Sequence, residues 1–150
     1  MGVIDKDIGW DKIMRDLNDL DGTEIVAGIL KDAGNDSKGT PYVNIAIYNE
    51  YGTKNIPSRP AVRIAADENG EKWQDTAKSG ICDIIDGKGS KNAVCEKVGE
   101  QMKKDIQSIF GDKSKLKPNA PATVKKKKGR NTPLIDTGKL RSKVNWRVEK

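Results

Sequence analysis

The chain has no histidine, so the commonest general base and metal ligand is missing from its 150 residues. Its two thiols, Cys82 and Cys95, fall short of the four ligands a structural zinc site needs. They read as two buried cysteines in a reducing compartment. No G-x-S-x-G elbow appears, and the 87–90 segment Gly87-Lys88-Gly89-Ser90 lacks the flanking residues of a phosphate loop. Asp5, Asp7, Asp11, Asp16, Asp19 and Asp21 fall where a solvated helix face would put them. Neither catalysis, a cofactor nor a metal is expected.

The remaining chemistry is electrostatic. Between residues 111 and 133 stand eight Lys or Arg against one acid, a local charge of +7. The whole chain carries +6, so everything else sums to −1. The dense part is Lys125, Lys126, Lys127, Lys128 and Arg130. Such a run either neutralises phosphates without reading sequence, grips an acidic partner, or is a solvated loop. No aromatic is interleaved from 111 to 133, so a stacking platform for single strands is absent.

A second unusual stretch is 49–60, NEYGTKNIPSRP. Gly52 suits the position just past a helix end. Pro57 and Pro60 fix φ and push Ile56 and Arg59 towards extended geometry. Glu50 and Arg59 read either as surface charges or as a contact, within the chain or across to another subunit. A stretch of similar stiffness lies at 133–140, PLIDTGKL.

The elements that must position these residues follow from periodicity. Trp10, Ile13, Met14, Leu17 and Leu20 make an apolar stripe, which predicts a helix over 7–20. Branched residues predict a strand over 23–30, and a turn-rich exposed loop follows at 31–40. Residues 41–51 fit helix or strand; Gly52 at the end favours helix. The 59–68 segment leans to helix, Asn69-Gly70 predicts a break or kink, and 71–85 is a helix. Ser90 caps a helix to Phe110, on the four-residue repeat Val94, Val98, Met102, Ile106, Phe110. Residues 111–133 have almost nothing apolar and read as a long flexible loop without a helix. A short turn or helix is expected at 137–140. Val144, Trp146 and Val148 alternate with polar residues, a strand with one buried face that pairs with 23–30. The fold class is α+β: one domain over 1–150, with a small antiparallel sheet packed against several helices and a long basic loop. No run approaches 18 apolar residues, and MGVIDKDIGW lacks the pattern of a secretion signal.

Three segments in order resemble the phage virion-morphogenesis family, the neck or tail-completion proteins of tailed phages. They are Asn49, Glu50, Tyr51 and Gly52 with Ile56, Pro57, Arg59 and Pro60; then Pro118, Asn119, Pro121 and Thr123; then Pro133, Leu134, Ile135, Asp136, Thr137, Gly138 and Leu140. The resemblance covers about 42–148. Ala61 departs from it, since relatives often carry a large aromatic after R-P. The resemblance implies a head–tail joining subunit of the virion, assembled in the host cytoplasm. It implies a homo-oligomeric ring, usually six-fold, between connector and tail tube, with the first and third segments at subunit or partner interfaces. A tail-terminator ring is the alternative role. The basic run would then line a lumen that DNA passes through or grip an acidic neighbour. A non-specific nucleic-acid-binding protein is the reading from another class.

Overall fold

A computed structural model of the chain describes residues 8–150. Helix α1 (Ile8–Leu20) leads through a turn at Gly22 into strand β1 (Glu24–Ile29). A loop and helix α2 (Tyr42–Tyr51) follow, then the long helices α3 (Ala61–Ile85) and α4 (Lys91–Ile109). The basic segment holds a short α5 (Pro121–Lys126), and a one-turn α6 (Lys139–Ser142) precedes strand β2 (Val144–Glu149). The two strands pair antiparallel, from Glu24 opposite Glu149 to Ile29 opposite Val144. Helix α4 lies across this ribbon and α3 lies beside α4, so the fold is α+β as expected. Among the described residues no helix is long and apolar enough to cross a membrane.

The body is built by apolar contact. One cluster holds Ala61 and Ala65 of α3, Ile106, Ile109 and Phe110 around the end of α4, Leu116, and Val144 of β2. A second, at the other end of α3 and α4, holds Ile84, Val94 and Val98 under Ile13, Leu17 and Leu20 of α1. Each buried Val, Leu, Ile or Phe side chain contributes about 1.5–3 kcal/mol. Two glycines set the spacing. A Cβ at Gly80 would stand 2.6 Å from Val94 on α4. A Cβ at Gly99 would stand 2.2 Å from the Trp146 ring, so the close approach of that indole to α4 requires glycine there. The indole nitrogen donates to Glu100 at 2.8 Å, which gives the half-buried ring its polar partner.

Several expectations are corrected. Helix α3 does not break at Asn69-Gly70. The stripe Ala61, Ala65, Trp73, Ala77, Ile84 keeps its register through that pair, and Asn69 Nδ2 donates back to Ala65 O at 3.0 Å. Packing along α4 outweighs the local propensity loss of about 1 kcal/mol. The α1 stripe is narrower than expected: Ile13, Leu17 and Leu20 pack, while Trp10 and Met14 are 59% and 38% exposed. Cys95 is buried but Cys82 is exposed. On β2, Val144 is buried, Trp146 is half-buried and Val148 is exposed, so cover thins towards the chain end. Asp5 and Asp7 of the acidic face lie outside the described residues.

The segment 111–133 also departs from the expected structureless loop. Leu116 is buried in the main cluster. Pro121 opens α5 from its first turn, and Gly129 closes it with a positive φ, its N–H on Val124 O at 2.9 Å. Gly111 N donates to Pro133 O at 2.9 Å, and Asn119 N to Asn131 Oδ1 at 3.0 Å, so the segment is tied at its neck and across its middle. A few well-placed groups do this; the composition hid them.

Candidate functional site

Helix α2 ends at Tyr51 because Gly52 takes φ +79, where a Cβ would stand 2.9 Å from Ser58 N. The chain then doubles back. Thr53 N donates to Ile56 O at 2.8 Å, Ser58 Oγ to Glu50 O at 2.8 Å, and Arg59 N to Asn49 O at 2.6 Å. The last two of these bonds satisfy carbonyls that the end of the helix leaves free. Pro60 at the N-cap of α3 has no side-chain donor or acceptor to offer. Glu50 does that work from twelve residues away: its carboxylate accepts from Val62 N at 3.1 Å and Arg63 N at 2.9 Å. Tyr51 points outward, with the Arg63 guanidinium 5.4 Å from its ring centre.

Arg59 is buried, 9% exposed, and reaches into the basic segment. Its Nε donates to Lys117 O at 2.8 Å and its Nη2 to Pro118 O at 2.9 Å. Both Glu50 and Arg59 therefore bond within the chain. Burial lowers the affinity of Arg59 for its proton.

The third segment turns tightly. Pro133 is fully buried, Leu134 has φ +61, and Ile135 N donates to Thr132 O at 3.3 Å. Pro then Leu occupy the central positions of the turn, and the second normally takes glycine. Leu134 is held in this strained geometry by packing on the main cluster with Ile135 and Leu140. Gly138, φ +79, starts α6.

The lysine run is split. Lys125, Lys126, Lys128 and Arg130 are exposed, while Lys127 turns inward. Its Nζ donates to Ile135 O at 2.6 Å and Thr132 O at 3.2 Å. Burial pushes the Lys127 ammonium pKa down; Asp136 opposes this, and Arg59 and Arg130 add to it by repulsion.

These pieces enclose a recess of about 460 Å³. Asn49 and Arg59 of the first segment line it, with Asn119 of the second and Leu134, Asp136, Thr137, Gly138 and Leu140 of the third, together with Lys127. Tyr51, Gly52, Ile56, Pro57, Pro60, Pro133 and Ile135 do not line it; they shape the loops that do. Sequence reasoning missed Ile45 and Tyr42, which stand one and two turns before Asn49 on the same face of α2. That i, i+3, i+7 spacing was visible. It also missed Asp36, Lys38 and Lys139, for which no local signal exists.

A second groove of about 440 Å³ runs along β1, α2 and the start of α3, with Val26, Ile29, Val43, Ile47 and Val62 in its walls. Ile47, Tyr48 and Tyr51 beside it are 47%, 45% and 71% exposed. No family model, curated protein or solved structure matches the chain.

Proposed function

We propose that the protein is a structural subunit of the head–tail junction, a neck or tail-completion ring, of a tailed phage or a prophage-derived particle. One observation carries the reading: the three segments that resemble the virion-morphogenesis family converge on one recess, where Arg59 ties the first to the second and Lys127 holds the third. Segments far apart in sequence that converge this way form a preorganised surface, which lowers the ordering cost of an interface. The exposed apolar residues on α2 add contact area of the kind a heterologous ring interface buries. The role needs positioning rather than bond chemistry.

Deleting the gene should leave filled heads and separate tails. Mass spectrometry of purified particles should find the protein in a few copies per virion. Its absence from particles that are complete and infectious would end this reading. The exposed Lys125, Lys126, Lys128 and Arg130 favour a second one, non-specific binding to nucleic acid. That reading requires affinity that falls steeply with salt and vanishes when the four are changed to alanine.

A further inference from the structure

Two of the cations lining the recess, Arg59 and Lys127, turn inward with no anion in contact with either. Among the described residues, neither Arg59 nor Lys127 has a carboxylate at ion-pair distance. Every hydrogen bond they donate goes to a neutral main-chain carbonyl. They repel one another, Arg130 adds to that repulsion, and burial penalises both. Two further lysines, Lys38 and Lys139, stand in the lining. Of the two acids there, Asp36 already accepts from Lys38 N and Thr40 N at 2.8 and 2.9 Å. Asp136 is exposed and attracts Lys127 from a distance. In the same wall the buried Nδ2 of Asn119 has no acceptor among the described residues. Unpaired buried donors and uncompensated charge are what a protein leaves for a ligand to complete.

The other walls are apolar: Tyr42, Ile45, Leu134 and Leu140. A free phosphate gains nothing from them, and the phosphates of a duplex lie on a convex surface that a recess of about 460 Å³ does not admit. We propose that the recess binds a carboxylate carried next to an apolar side chain, that is, an acidic peptide segment of a partner protein. The carboxylate sits between Arg59, Lys127 and Asn119, and the apolar neighbour lies on Leu134 and Leu140. The inference rests on the junction reading only for who the partner is; the recess can be tested on the isolated chain.

The probes are acetyl-Leu-Glu-amide, acetyl-Leu-Gln-amide, inorganic phosphate and a short DNA duplex, each titrated into the isotope-labelled full chain and followed by NMR. The glutamyl peptide should shift the Asn119 side-chain amide and bind about tenfold more tightly than the glutaminyl one. Lys127→Met should abolish the difference. Should that variant fail to fold, Lys139→Glu, at an exposed residue, should weaken the glutamyl peptide severalfold. Equal binding of both peptides, no shift at Asn119, or phosphate or DNA binding there more tightly than the glutamyl peptide would overturn the assignment. The two proposals fail separately. Selective glutamyl binding by a protein absent from virions keeps the recess and loses the junction role. A virion component that binds neither peptide does the reverse.

Discussion

Residues 61–110 and residues 111–140 are held by different physics. The first region is two long helices in apolar contact, spaced by Gly80 and filled by Ile84, Val94, Val98 and Ile106, with Gly99 admitting the Trp146 ring of β2. The second is mostly irregular backbone, positioned by side chains that donate to main-chain carbonyls: Arg59 to 117 and 118, Lys127 to 132 and 135. Non-directional packing tolerates small losses and resists added volume. Directional bonds from inward-turned cations do the opposite, since removing the donor strands its acceptors and cuts the tether.

The sharpest test of the first half is Gly99→Ala. The new methyl would meet the Trp146 ring at 2.2 Å, and both α4 and β2 are anchored elsewhere. A loss of about 3 kcal/mol is expected in urea unfolding. A loss below about 1 kcal/mol would show that the indole is free to move, and the helix–sheet spacing would need another cause.

Arg59→Met tests the second half, keeping the apolar stem while removing both charged hydrogen bonds. About 2 kcal/mol should be lost. Hydrogen exchange should quicken around residues 111–135 and leave α4 unchanged. If stability holds and exchange stays the same, the tether is dispensable, and something other than the Arg59 bonds positions residues 111–135. Glu50→Ala is milder, about 1 kcal/mol, because it removes a cap from α3 without opening the core. Exchange should then quicken at the amides of 62 and 63.

The same contrast decides what could be read beforehand. The strands, their pairing, α1, α2 and α4 follow from apolar spacing and from Ser90, Gly52 and Gly111, all local signals. The composition of 111–133, rich in lysine with proline and glycine, points to a flexible loop. What orders it is one leucine at 116 and partners up to 59 residues distant. Such pairings leave no trace in local spacing. The site was half legible for the same reason: residue types at 49–60 and 133–140 marked unusual loops, but nothing in them showed that they face each other. Lys127 is the clearest case. In sequence it is one of four identical lysines, and only the turn geometry at the end of α5 sends it inward.

The smallest expected effect asks whether periodicity truly governs the first region. Asn69-Gly70 is a local breaker, yet α3 runs through it because the apolar face keeps its phase from Ala61 to Ile84. A Cβ at Gly70 would meet nothing within 4 Å, and the backbone there is helical. Gly70→Ala should therefore stabilise the protein by about 0.5–1 kcal/mol, the propensity difference alone. Unfolding by urea, with the slope unchanged, would measure it. A loss instead would mean that the helix bends at residue 70 and that glycine is required there. The first region would then depend on a local backbone device, as the second does at Gly52 and Leu134, and the contrast between them would weaken.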